Sequence, residues 1–436
     1  MPLLQDQTHT RENSVAARRT PAFRGSSMPT SVVALSASVL ATIVLITAIA
    51  PLATDMYVPA FPVVGRDLDA SATQVQLTLT TFFIGMALGQ LAGGPFSDRV
   101  GRRRPLLAAL VVLVVASVVC AFSPSATVMM AARMVQGFAG GWAMVIARSV
   151  VVDLTEGARM VRAMNVVAAV AGIAPVVGPL LGALVLSVTH WRVSFWMVAV
   201  LAAVMLLAVA LGMPESLPAE RRHRGGLGRL LGATGEVLSS RAFSGHLVVF
   251  AFSMGTTFAY VATSAFVLQS MNGLTPVQYS IDFAANASGM TVAALVSARY
   301  ADRVPARVFV KVGLVATGAA GVVLTAAAVW FSIPLGAALV GFFVLMTAQG
   351  LVGPNAGALA SAAVPDHPGT GSALLGFLQW VMAGTIAPLA GLGGDHTAVP
   401  MAAIVLVLTV ASAVAYLAAG DRRTHPTAAA GAAGRH

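Results

Sequence analysis

Long apolar runs alternate with short polar breaks over nearly the whole chain. Each run is close to the roughly 20 residues that a helix needs to cross the hydrocarbon core of a bilayer. Read with that ruler, the runs fall at about 32–58, 73–95, 105–122, 126–149, 161–188, 193–212, 243–269, 277–299, 306–329, 334–358, 370–392 and 398–419. The pattern predicts an all-α membrane protein of twelve transmembrane helices. Most breaks are short. The exception, 213–242, divides the runs six and six, so 32–212 reads as an N-terminal six-helix bundle and 243–419 as a C-terminal one. Residues 1–31 are polar and basic, without the short apolar core of a signal peptide, and read as a disordered tail. Residues 420–436 read as a second tail.

Composition agrees. The 436 residues are 57% hydrophobic and 10% charged, against about 25% charged in soluble domains. The net charge of +10 would suggest nucleic acid in a soluble protein. Here the arginines sit in the breaks, so membrane orientation explains them and no nucleic-acid partner is expected. Arg11, Arg18, Arg19 and Arg24 lie in the tail, and Arg99, Arg102, Arg103 and Arg104 follow run 2. Arg159 and Arg162 follow run 4, and the central loop holds Arg221, Arg222, Arg224, Arg229 and Arg241. Arg299, Arg303, Arg307 and the single lysine, Lys311, follow run 8, and Arg422, Arg423 and Arg435 close the chain. The opposite loops hold only Arg66 and Arg192. The positive-inside rule then places both termini and the central loop in the cytoplasm, in a multi-pass protein of the cytoplasmic (inner) membrane. Cys120 is the one cysteine, and the eight histidines lack metal-ligand spacing, so neither metal nor other cofactor is expected and no enzyme site is visible.

Two echoes suggest duplication. "PFSDRVGRR" follows run 2 and "RYADRVPAR" follows run 8; "APVVGPLLG" in run 5 is matched by "APLAGLGG" in run 11. Both offsets are six runs, which predicts two parallel six-helix repeats, the architecture of secondary transporters with a site near the midplane between halves. In the 93–107 loop, Gly93 and Gly94 are expected to end helix 2, Gly101 to permit a tight turn, and Pro105 to open helix 3. Asp98 could meet a helix N-terminus or pair with an arginine, while Arg102 and Arg103 hold the loop at the membrane face. Arginines alone would serve as an anchor; the aspartate and the glycines ask for more.

These residues resemble a known family. "GPFSDRVGRR" (Gly94 to Arg103) closely matches the helix 2–3 signature of the major facilitator superfamily. "RMVQG" (Arg133 to Gly137) is similar to its helix-4 arginine motif, and "APVVGPLLG" (Ala174 to Gly182) to its antiporter signature. "TDMYVPAFP" (Thr54 to Pro62) with "QVQLTLTTFFIGMALGQL" resembles the Bcr/CflA-type branch of drug:proton antiporters. The resemblance implies export of small amphipathic drugs or metabolites, of the chloramphenicol, bicyclomycin or sulfonamide kind, in exchange for protons by alternating access. It also implies a latch formed by Gly94, Asp98, Arg99, Gly101, Arg102 and Arg103, with Asp98 closing one state through helix 11. Two departures stand out: the second-half loop lacks the full glycine and arginine set, and "LITAIAPLA" lacks the membrane-embedded glutamate that some relatives carry before the helix-1 aspartate.

Charges inside a span cost about 2.5–3.5 kcal/mol on insertion scales, which makes them functional candidates. Asp55, Arg133 and Asp282 fall in the outer parts of helices 1, 4 and 8; Arg148 lies near the cytoplasmic end of helix 4, where it could snorkel. Asp55 and Arg133 are the candidate proton-coupling pair, with protonation releasing Asp55 from Arg133 or from a cationic or polar substrate. Against this, Asp55 could simply cap helix 1, Arg133 could be a structural partner, and Asp282 could lie at the interface. Pro175, Gly178, Pro179 and Gly182 are expected to interrupt and kink helix 5 and to pack it closely. Tyr57, Gln136, Tyr260, Gln269, Gln349 and Gln379 are candidate cavity residues. The expected partners are a small-molecule substrate, protons and membrane lipid, with the chain a monomer. An importer or facilitator of a small metabolite is the alternative, and the helix 5 motif argues against it.

Overall fold

Local chemistry starts and stops the helices where the breaks are. The computed structural model describes residues 35–222, 234–365, 368–394 and 396–419, all of it helix and connecting turn. The twelve principal helices are α1 (Ala37–Asp55), α2 (Ala72–Val100), α3 (Arg103–Ala121), α4 (Ala126–Leu154), α5 (Gly157–Val188) and α6 (Arg192–Gly212), then α7 (Arg241–Ala265), α8 (Pro276–Arg299), α9 (Ala306–Phe331), α10 (Leu335–Ala362), α11 (Pro368–Ala390) and α12 (Val399–Ala418). Twelve helices among the described residues are long and apolar enough to cross a membrane. The expected tails lie outside the described residues, as does part of the central loop.

Capping sets the helix starts. Ser71 and Gln74 form a reciprocal capping box on α2, the side chain of each accepting the other's backbone N–H (3.2 and 2.9 Å). Thr275 and Gln278 repeat the device on α8, six helices later. α1 ends at Asp55, and the chain continues as a single turn, Val58–Ala60, and a short helix, Phe61–Asp67. Pro59 and Pro62 stand in the first turns of these pieces, where a missing N–H costs nothing. α2 runs on to Val100, so Gly93 and Gly94 do not end it. The turn comes at Gly101, whose φ of +100° needs a residue without Cβ.

The packing of the first six helices is repeated by the last six. α1 packs on α4, α5 and α6, and α7 packs on α10, α11 and α12. α2–α4, α3–α4 and α3–α6 recur as α8–α10, α9–α10 and α9–α12. The two halves meet chiefly along α2–α11 and α5–α8, which the same six-helix shift interchanges. This is the two-repeat architecture expected from the sequence echoes. Side chains pointing away from the bundle are large and apolar, as in Leu211 (86% exposed) and Leu417 (76% exposed), which is the exterior of a protein solvated by lipid.

Glycines make the tightest of these contacts. A Cβ on Gly85 would collide with the Met134 carbonyl of α4, and one on Gly89 with the Phe138 carbonyl. From the other side, a Cβ on Gly137 would strike the Phe82 carbonyl and one on Gly141 the Met86 carbonyl of α2. Two stripes of small residues at a spacing of four therefore face each other and bring backbone onto backbone.

At one end of the bundle three hydrogen bonds among the described residues fasten the halves together. Gln76 Nε2 of α2 donates to the Ala262 carbonyl of α7 (3.1 Å), and Thr73 Oγ1 to the Gly391 carbonyl (3.4 Å). Gln269 Nε2 donates to the Pro59 carbonyl (3.1 Å). The Gly101 turn lies at the opposite end.

Candidate functional site

The helix-end chemistry of α1 builds the site. Beyond Asp55 the chain tightens: the N–H of Tyr57 bonds to Thr54 rather than to Ala53. The Ala53 carbonyl takes a bond from outside the helix, from Arg133 Nη1 (3.1 Å), a cation at the negative end of a helix. The same Nη1 donates to Gln136 Oε1 (2.7 Å), and Gln136 Nε2 donates to Ser117 Oγ (2.8 Å). The guanidinium lies over the Phe82 ring at 4.2 Å, with Tyr57 at 5.2 Å and Phe195 at 5.6 Å. Arg133 is fully buried.

Asp55 forms no ion pair with Arg133 or with any other described residue. The Thr54 hydroxyl is within bonding distance of its Oδ1 (3.0 Å) and of the Ala50 carbonyl (3.0 Å). The two expected coupling residues therefore meet the same helix end without touching: Arg133 holds the backbone that presents Asp55.

The α5 motif reaches Asp55 directly. α5 is continuous through Pro175 and Pro179, so the cluster does not interrupt the helix. Its glycines face α1: a Cβ on Gly178 would lie 2.9 Å from the Asp55 Cβ, and one on Gly182 would strike the Met56 carbonyl. A side chain at either position would push the carboxylate away.

Asp55 opens into a cavity of about 250 Å³ between the halves. Thr47, Pro51 and Thr54 line it from α1, Met144 and Arg148 from α4, and Pro175 from α5. Across from them stand Phe258 and Tyr260 of α7, Phe283 of α8, and Gln379 and Trp380 of α11. Adaptable methionines and aromatic faces with a few polar groups make a permissive pocket. Of the expected cavity residues, Tyr260 and Gln379 line it. Tyr57 and Gln136 belong instead to the Arg133 cluster, Tyr57 OH sharing a bond with Thr78 Oγ1 (3.0 Å). Gln349 is buried between Ser253 Oγ (2.6 Å) and Thr317 Oγ1 (2.9 Å), and Gln269 belongs to the fastening at the bundle end. Arg148, exposed and six residues from the end of α4, lines the cavity as well.

Asp282 is half-buried and accepts from Asn286 Nδ2 (2.8 Å), which also lies 2.9 Å from the Tyr260 hydroxyl. A polar chain thus leads from the cavity wall to this second carboxylate. Asn286 carries no charge, and its one signal in the sequence is the spacing of four from Asp282, which puts both on one face of α8.

The Gly101 turn is a charge network rather than a row of surface anchors. Arg102 is buried (7% exposed), paired with Asp98 (2.5 Å) and Asp153 of α4 (3.0 Å), and donates to Ser97 Oγ (2.7 Å). The N–H groups of Arg102 and Arg103 donate to the Glu215 carboxylate at the start of the central loop (2.7 and 3.2 Å). Arg103 Nη2 caps the end of α6 through the Ala210 carbonyl (2.6 Å). Removing Arg102 leaves the largely buried Asp153 without its cation, at a cost of up to about 3 kcal/mol, while the half-exposed Asp98 is resolvated. Arg102→Ala is therefore expected to lower the thermal midpoint of the detergent-solubilised protein clearly, while Arg104→Ala, at an exposed position with no bond into the network among the described residues, leaves stability within about 0.5 kcal/mol of wild type.

Comparison with known proteins gives the same picture. A family model described as Major Facilitator Superfamily matches residues 43–388. The "Uncharacterized MFS-type transporter YdgK" of Bacillus subtilis (strain 168) is 32% identical over 84% of this chain and 91% of its own. The "Bicyclomycin resistance protein homolog" of Haemophilus influenzae is 28% identical over 84% of this chain and 92% of its own. "Multidrug resistance protein D" of Escherichia coli (strain K12) is 28% identical over 56% of this chain and 61% of its own. Among solved structures, a bacterial homologue of the lysosomal transporter Spinster, in an inward-facing and unoccupied conformation, superposes with a TM-score of 0.69 at 17% identity, covering 87% of this chain and 96% of that one.

Proposed function

Because this chain belongs to the major facilitator superfamily, as a multi-pass membrane transporter of small molecules, we propose that it exports amphipathic drugs or metabolites in exchange for protons. The observation that carries the reading is a carboxylate, Asp55, set in the wall of the cavity between the halves and packed against the α5 antiporter-like motif. A carboxylate there serves a proton or the polar end of a substrate, one at a time, and such exclusion is what antiport needs. Relatives named for bicyclomycin and multidrug resistance support the direction and the substrate class.

In this reading, by the positive-inside rule, the Gly101 turn, the central loop and both termini are cytoplasmic and the membrane is the inner one. The end fastened by Gln76, Thr73 and Gln269 then faces outward, and the cavity belongs to a state closed on the outside. Asp98, beside the cytoplasmic ends of the helices, is placed to latch the opposite state through α11 once the outer bonds open. The chain works as a monomer in this reading, since the cavity is built from its own two halves.

The test is made in everted membrane vesicles energised to an acid interior. Adding chloramphenicol, a sulfonamide or bicyclomycin should collapse part of the pH gradient, read with a quenched acridine dye, only in vesicles carrying the protein. Equal responses in vesicles without it, across the whole panel, would refute proton-coupled export of this class. Uptake into intact cells that rises with an inward proton gradient would instead establish the importer.

A further inference from the structure

The cavity holds a second charge that the exchange just described leaves unused. Arg148 lines it and is exposed. Among the described residues Arg148 has no side-chain hydrogen bond and no ion pair. A cation held inside a membrane protein is costly, and one without a partner is a functional feature by default.

Its place in the bundle limits what it could bind. Asp55 is the last residue of α1, next to the fastened end. Arg148 is six residues from the end of α4, toward the Gly101 end. The two charges thus stand toward opposite ends of one cavity. The same cavity is lined by Met144, Phe258, Phe283 and Trp380, which are apolar or aromatic. A molecule that uses both must carry its own charges at opposite ends of a flat apolar body.

The exchange logic chooses the polarity. A substrate that expels the proton must place its cationic end at Asp55, because a proton and a cation compete for one carboxylate. An anion at Asp55 would instead favour the protonated form, and substrate and proton would travel together. The anionic end is left for Arg148, whose guanidinium suits a carboxylate. We propose that the cavity is built for elongated ampholytes, with an ammonium at Asp55, a carboxylate at Arg148 and an aromatic body between. This rests on the reading of Asp55 as the exchange site.

The experiment uses the purified full-length protein and radiolabelled 4′-(aminomethyl)biphenyl-4-carboxylic acid, beside its methyl ester and its N-acetyl derivative. The ester keeps only the cation, and the acetyl form only the anion. The ampholyte should bind at least about tenfold more tightly than either. Arg148→Gln should reduce the ampholyte to the affinity of the ester and leave the ester unchanged. Arg148→Lys should restore most of the difference. Phenylalanine, with both charges on one carbon, should bind no better than its own methyl ester. An ester that binds as tightly as the ampholyte to wild type would overturn the proposal. So would an Arg148→Gln protein that loses ester and ampholyte equally, the signature of a merely structural arginine. Failure of the broader reading looks different. If the ampholyte binds as described but moves in vesicles along with protons, the export assignment falls and the two-charge site stands. If the drug panel is exported while the ampholyte does not bind, the site falls and export stands.

Discussion

Asp55→Asn is expected to abolish drug resistance conferred by the protein in an efflux-deficient host while leaving its amount in the membrane unchanged. The substitution keeps the shape of the side chain. It keeps an acceptor for the Thr54 hydroxyl at 3.0 Å and the contact with Gly178. What it removes is the ability to gain and lose a proton. An amide cannot alternate between a proton and a polar substrate, so exchange stops even though the cavity remains. The loss should be at least about a hundredfold in vesicle transport, because one of the two exchanged species no longer binds. Asp55→Glu should retain partial activity, since it preserves the chemistry but moves it by one methylene into a tight space. Resistance that survives Asp55→Asn at normal expression would move proton coupling to another carboxylate, and Asp282, joined to the cavity wall through Asn286 and Tyr260, is the first to test.

The second large effect is on folding. Gly137→Leu is expected to keep the protein from accumulating as a monodisperse species in detergent. The obstacle is backbone: any Cβ at 137 runs into the Phe82 carbonyl of α2, which cannot rotate away as a side chain would. Overpacking against movable neighbours costs about 1–3 kcal/mol. Here the helices must separate, and the facing contacts at Gly85, Gly89 and Gly141 loosen with them. Gly137→Ala should already lower the thermal midpoint. Gly172→Ala in α5, where a Cβ meets nothing within 4 Å, is the matched control and should be neutral. Comparable stability of the two alanine variants would show that the stripe is not what holds α2 to α4.

The architecture was largely legible in the chain. Span number, the six-and-six division and the repeat all rest on hydropathy and on echoes in short motifs, and the packing pairs follow the same six-helix shift. Lipid allows so few spanning structures that apolar length alone carries much of the fold. The site was legible as residues but not as contacts. The sequence places Asp55 and Arg133 at one depth, which made an ion pair natural. It does not show that the α1 end leaves the Ala53 carbonyl open for Arg133 to take. The α5 motif was read as a break because proline removes a backbone bond. In a long helix packed on its neighbours that loss is tolerated, and the glycines beside the prolines turn out to be the seat for Asp55. Polar residues chosen as cavity candidates mostly bond to neighbouring side chains or backbone, since a lone glutamine in a span meets its own requirements before it meets a substrate. The stripe Gly85, Gly89 and Gly93 facing Gly137 and Gly141 carried a signal in its spacing of four, and Arg148 was weighed only by its nearness to the helix end.

The three hydrogen bonds at the fastened end share the closure of this state with the ring contacts of Phe61 on Phe266 and of Phe83 on Phe258 and Trp380. The hydrogen bonds contribute only about 1 kcal/mol net apiece. A lopsided equilibrium between two shapes is reversed outright by a differential affinity of roughly 5.5 kcal/mol, and a modest bias by less. The polar part of the seal is therefore within reach of one bound molecule, and cargo that also parts these rings acts as the key to a turnover that runs in whichever direction the gradients point.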